Sequence, residues 1–148
     1  MKFRVAILTL AVLGVAGTMA SASEDPIATR KAVMKSVGAS MKVVVPMVKG
    51  EADYDAVKAE LAMRVIQNGA IGVIHYFPAG SETGGETEAA PKIWEDMAGF
   101  KAKAASLEAD AGAAITAAAG GLDAFREAFG KMAGNCKGCH EDYRIKKN

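Results

Sequence analysis

The stretch Asp123-Ala-Phe125-Arg-Glu-Ala-Phe129-Gly-Lys-Met132-Ala-Gly-Asn-Cys136-Lys-Gly-Cys139-His140-Glu-Asp-Tyr143 carries its apolar and sulfur-bearing residues at steps of 4, 3, 4, 3 and 4. That period is α-helical and lays Phe125, Phe129, Met132, Cys136, Cys139 and Tyr143 along one face. Asp123 stands where an N-cap is expected. Gly130 and Gly134 each weaken such a helix by about 1 kcal/mol relative to Ala, so a bend is expected near them. A helix with one apolar face needs partners, and the rest of the chain has to supply them.

Upstream, apolar residues again recur at three and four rather than at two. A first helix is expected over 26–49, with Asp25 as cap, Pro26 at its first position and Gly50 as its end. Its stripe is Ile27, Met34, Val37, Met41, Val44, Val45 and Val48, shared by Arg30, and Pro46 should loosen its last turn. A second helix is expected over 53–69, capped by Asp53, with Val57, Leu61 and Val65 inward beside Ala62 and Ile66. Residues 70–77 read as an inward-packed turn or a continuation of that helix, and 78–87 as a surface loop. A third helix is expected from 88–91 to 119, anchored by Ile93, Trp94, Met97, Phe100, Ala104, Leu107 and Ile115 and stopped by Gly120-Gly121. Four amphipathic helices with mostly short connections imply an all-α fold, an antiparallel four-helix bundle.

The first residues read differently. Lys2 and Arg4, the apolar run 5–15 and the small residues Ala20-Ser21-Ala22 follow the order of a secretory signal peptide, cleaved after Ala22 or Ala20. Its apolar core is shorter than the ~20 residues that span a bilayer. The division is therefore a leader at 1–22 and one domain at 23–148, with no membrane span after the leader is removed. Removing 1–22 takes the formal charge from +1 to −1. Such a near-neutral domain has no basic stripe, and nucleic acid is not an expected partner.

The chain has two cysteines, Cys136 and Cys139, too close in sequence to staple a fold. On a helix, positions i, i+3 and i+4 share a side, so Cys136, Cys139 and His140 face one object. Two thiols at that spacing can add to the two vinyl groups on one edge of a haem, and the adjacent imidazole is then held beneath the iron. Three other uses compete. A zinc site needs about four ligands, and beyond this cluster His75 is the remaining strong donor. A thioredoxin-like pair wants a βαβ setting and a helix N-terminus. A buried structural thiol pair leaves both His140 and the leader without a role.

Together with Ile93-Trp94, Tyr54-Asp55-Ala56, Arg30 and Met34, the run from Cys136 through Arg144 (Cys-Lys-Gly-Cys-His-Glu-Asp-Tyr-Arg) resembles the class II cytochromes c, that is, cytochrome c′ and its low-spin relatives. The resemblance covers essentially the whole chain after the leader. It implies one covalent haem c per chain, bound through Cys136 and Cys139 near the C-terminal helix, with His140 as axial iron ligand. It also implies that Arg30 approaches a haem propionate, that Met34 lies over the distal face, and that Arg144 sits one turn beyond His140. Phe77 and Ile74 resemble residues that wall the haem, and a loop residue near Glu86 reaches its edge. Lys31 departs from the glutamine often found after that arginine.

Within this family the sixth iron position decides the function. Met34-Lys35 followed by Gly38 and Met41 looks more like the methionine-ligated members, which implies a periplasmic electron carrier with unidentified redox partner proteins. The alternative is a five-coordinate, high-spin cytochrome c′ binding nitric oxide or carbon monoxide, in which Met34 packs above an open iron. His75 offers a lesser route to a sixth bond, and Arg30 and Arg144 also read as plain surface charges. Nothing resembling a general acid–base constellation flanks the motif, so turnover as an enzyme is not expected. A homodimer through the first two helices is implied by the resemblance.

Overall fold

A computed structural model describes residues 25–145 of the chain; the expected leader at 1–22 lies outside them. Along them run five helices: α1 Pro26–Lys49, α2 Ala56–Val73, the single turn α3 Lys92–Glu95, α4 Met97–Ala118 and α5 Leu122–Tyr143. The four long ones form the bundle, with α1 packed on α2, α2 on α4, and α4 on α5, while α1 and α5 touch only sparingly.

The first helix forms where the sequence places it. The Asp25 carboxylate accepts from the amides of Ile27 at 2.9 Å and Ala28 at 3.2 Å, satisfying donors the helix leaves open. At the other end Gly50 adopts φ 76°, and the helix runs through Pro46 to reach it. The Arg126 Nε donates to the carbonyl of Val48 at 2.8 Å, and the Tyr54 hydroxyl to that of Ala118 at 2.7 Å. Loose carbonyls at the ends of α1 and α4 thereby gain partners from neighbouring elements.

The second helix corrects the expectation twice. Its cap is Asp55, which accepts from the Lys58 amide at 3.0 Å, rather than Asp53. Its inward face is Ala59, Ala62, Met63, Ile66, Ala70 and Val73, whereas Val57, Leu61 and Val65 point outward, 65 %, 56 % and 41 % exposed. The reason is proximity. α2 is sandwiched between α1 and α4, and a Cβ on Gly69 would lie 2.8 Å from Val37. Ala59, Ala62 and Ala70 let the helices approach closely while Met63 and Ile66 fill the core between them, and Val57, Leu61 and Val65 are left outside. Residues 70–73 continue the helix, one of the two forms expected for them.

The expected third helix is broken at Asp96, whose φ −131° and ψ 58° leave the helical region and start α4 anew. Its side chain accepts from the Gly99 amide at 2.9 Å, so the break is also a cap. The start of α5 differs as well. Gly121, at φ 90°, occupies the cap position, and Asp123 falls in the first turn beside Arg126. No break interrupts α5 at Gly130 or Gly134.

Two hydrophobic clusters hold the bundle. The larger joins Val37 and Val44 of α1, Met63 and Ile66 of α2, Ala111 and Ala114 of α4, and Phe125, Phe129 and Met132 of α5. Each fully buried large side chain, such as Phe125, Met63 or Ile66, contributes about 1.5–3 kcal/mol. The smaller cluster, Ile93, Phe100 and Tyr143, sits near the C-terminal end of α5 and gathers Ile74, Phe77, Trp94 and Cys139 around it. Among the described residues, no helix is long and apolar enough to cross a membrane.

Candidate functional site

The last turns of α5 carry both cysteines, and they stand at the two clusters: Cys136 packs against the larger one and Cys139 against the smaller. Both are free and half-buried. Burial pushes both thiols above their ordinary range, and for Cys139 the neighbouring Cys136 adds to the push while Lys103 opposes it. A redox-exchange pair needs a depressed thiol, and these are raised. His140 follows at the surface. Its pKa is lowered, first by withdrawal of water and then by Arg144, against the pull of Glu88, so the ring is neutral near pH 7. Neutral imidazole is the form that ligates a metal.

Arg30 is buried, 4 % exposed, and both terminal nitrogens of its guanidinium are engaged. Nη1 donates to the Tyr76 carbonyl at 3.2 Å and the Ser81 hydroxyl at 3.1 Å. Nη2 donates to the Ser81 carbonyl at 2.8 Å and the Thr87 hydroxyl at 2.7 Å. The group lies 4.8 Å from the centre of the Phe77 ring and 5.5 Å from that of Trp94. All four acceptors are neutral, and among the described residues no carboxylate comes within ion-pair distance of it. Burial lowers its pKa, with Asp25 and Glu82 opposing from farther off. A buried cation balanced by neutral dipoles alone is a receptive partner for an anion.

The chain from Arg30 to Cys139 is continuous. Phe77 meets Trp94 edge-on at 5.6 Å and Phe100 at 4.9 Å, and Phe100 meets Tyr143 at 5.4 Å. Arg30, Ile74, Phe77, Trp94 and Cys139 are thus brought to one end of the bundle. Met34, one turn beyond Arg30, is 37 % exposed and lies in neither cluster. Glu86 adopts φ 52° and pairs with Lys31 at 4.0 Å, its side chain pointing to solvent. Arg144 is ion-paired with Glu88, and His75 is exposed.

Ser81 and Thr87, which fix Arg30, were not among the residues singled out from the sequence. A loop rich in serine and threonine is consistent with many surroundings, and their partner lies 51 and 57 positions away. The donor set fits a haem: two half-buried thiols three residues apart, a neutral imidazole beside them, and a buried guanidinium facing neutral oxygens.

Comparison with known proteins agrees with this geometry. A family model described as Cytochrome C' matches residues 25–144. The chain is 42 % identical to a cytochrome c′ of Rhodopseudomonas palustris, with 100 % of both chains covered. It is 37 % identical to a cytochrome c-556 of Agrobacterium fabrum, over 89 % of this chain and 88 % of that one. The solved structure of cytochrome c′ from Rhodopseudomonas palustris is similar with a TM-score of 0.77 at 40 % identity, covering 84 % of this chain and 98 % of that one. A nitric oxide complex of a cytochrome c′ variant from Alcaligenes xylosoxidans is similar with a TM-score of 0.74 at 34 % identity, covering 83 % and 96 %. This four-helix bundle therefore belongs to the cytochrome c′ family of class II cytochromes c, and its cofactor is haem c.

Proposed function

We propose that the chain is a periplasmic mono-haem cytochrome c′ whose ferrous iron is five-coordinate and binds a small neutral gas, nitric oxide or carbon monoxide. The observation that carries this reading is the end-to-end match, at 42 % identity, to a cytochrome c′. It is preferred to the low-spin, Met34-ligated electron carrier that the sequence favours.

In this reading Cys136 and Cys139 would hold the haem through thioether links, and His140 would ligate its iron through a neutral ring nitrogen. Arg30, already ordered by Ser81 and Thr87, pairs with a propionate. Ile74 and Phe77 exclude water from one wall. When bound, the haem would supply an iron able to take up a diatomic gas. Residues 1–22 are removed on export, leaving 23–148 as the working domain. Val43, Val57, Leu61 and Val65, exposed on α1 and α2, support a homodimer through those helices.

The electron-carrier reading retains one specific support, the 37 % identity to a cytochrome c-556. Electron paramagnetic resonance of the purified ferric protein separates the two. A high-spin signal is expected; a purely low-spin signal would contradict the five-coordinate assignment and restore Met34 as ligand.

A further inference from the structure

Asp96 does more than cap α4. One carboxylate oxygen, Oδ1, accepts from the Gly99 amide at 2.9 Å, which is the capping bond. The other, Oδ2, accepts from the Tyr143 hydroxyl at 2.7 Å, 47 residues along the chain. A Cβ on Gly99 would collide with both the Asp96 carboxylate and the Tyr143 hydroxyl. Glycine there leaves the room that this bond occupies.

Tyr143 is the last residue of α5, 5 % exposed. The backbone around it is held as well. The amide of Ala90 donates to the Tyr143 carbonyl at 3.0 Å and the amide of Ile145 to the Glu88 carbonyl at 2.8 Å, forming the short antiparallel bridge of Ala89 with Arg144. Its ring stacks edge-on against Phe100 at 5.4 Å, in the cluster that also receives Cys139. One helical turn separates Tyr143 from Cys139, and His140 lies within that turn. A phenylalanine ring would fill the same slot. The hydroxyl adds a direction, because its bond to Asp96 fixes how far the last turn of α5 can rotate about the helix axis.

We propose that Asp96 and Tyr143 are positioning residues for the proximal side of the haem: their bond sets the angle at which His140 presents its imidazole to the iron. The proposal rests on the assignment of Cys136, Cys139 and His140 as the haem site. Fixing the orientation of a ligating histidine is a known lever on a metal's electronic properties. Here the lever acts through the helix rather than through a bond to the ring.

The test uses the haem-loaded protein with Tyr143→Phe, Asp96→Ser and the double substitution. Serine keeps one side-chain oxygen for the Gly99 amide, so the cap survives, and it has no second oxygen to serve as the acceptor for Tyr143. Intact mass and the pyridine haemochrome spectrum report covalent haem. The midpoint potential and the iron–histidine stretch in resonance Raman spectra of the ferrous form report the proximal bond. Both single variants are expected to keep full haem content. Both should move the ferric–ferrous equilibrium at least threefold in the same direction, shift the stretch, and show no larger effect when combined. Variants that lose thermal stability but keep the parent's potential and stretch would overturn the proposal, as would shifts that simply add in the double. A parent without covalent haem removes the site assignment and this proposal with it; a loaded parent with unshifted variants removes this proposal alone. Each single variant suffices as a test should the other fail to fold.

Discussion

The guanidinium of Arg30 donates to both the hydroxyl and the carbonyl oxygen of Ser81, at 3.1 and 2.8 Å. One helical side chain thereby fastens the loop between α2 and α3 against the end of the bundle that carries Cys139. Replacing Arg30 by Met keeps the stem and removes the charge, leaving the Tyr76 carbonyl and both Ser81 oxygens without that donor, whereas the Thr87 hydroxyl still accepts from the Ala89 amide. The loss is expected to be about 2–4 kcal/mol, measured as a lower midpoint in urea denaturation. An unchanged midpoint would mean that the loop is held by other contacts.

Glycine substitutions should divide by surroundings. At Gly99 a methyl group collides with Asp96 and Tyr143, so Gly99→Ala is expected to destabilise by about 1–3 kcal/mol despite alanine's better helix propensity. At Gly130 nothing lies within 4 Å of an added Cβ, and Gly130→Ala should stabilise by up to about 1 kcal/mol. Urea denaturation of the two variants side by side checks the contrast in sign.

The Tyr143–Asp96 bond also sets a pH dependence. Its hydrogen bond to Tyr143, then that to the Gly99 amide, holds the Asp96 carboxyl below its ordinary 3.8. That contribution to stability is present above 3.8 and is lost as pH falls through the folded value. Tyr143 is pushed from 10.0 to about 12, first by the same bond and then by burial. Its contribution is complete below 10.0 and disappears as pH rises through about 12. The difference in Tm between the parent and Tyr143→Phe should therefore be largest at intermediate pH and shrink towards both ends. A difference that stays constant with pH would contradict this coupling.

Leu61 stands 56 % exposed between Val57 and Val65 on α2. If that face joins two copies, Leu61→Glu should raise the dimer dissociation constant at least tenfold and leave the helical circular dichroism intact. Sedimentation equilibrium reads the constant. An unchanged association would place any dimer contact elsewhere.

The sequence carried the fold best where local chemistry acts alone. Asp25-Pro26 and Gly50 bound α1 because caps are local, and the steps through Phe125, Phe129 and Met132 define a face of α5 that every neighbour respects. α2 misled in part because Val57, Leu61 and Val65 make a cleaner stripe than Ala59, Met63 and Ala70, while Ala62 and Ile66 face inward as expected. The choice between them depends on how closely α1 and α4 approach, which is a tertiary fact. Asp96 broke an otherwise helical pattern by capping Gly99 three residues on, a local signal that the apolar period on either side of it masked. At the site, the thiols and His140 were legible from spacing. Arg30 was legible as a position, but its clasp on Ser81 and Thr87 joins residues distant in sequence.

The account turns on the sixth position of the iron, and the absorption spectrum of the ferrous protein, before and after carbon monoxide is added, tests it most directly. The five-coordinate assignment predicts a high-spin spectrum that shifts when the gas is added, and the same shift in Met34→Leu. A low-spin spectrum indifferent to the gas, becoming responsive only in Met34→Leu, would contradict it and identify Met34 as an iron ligand.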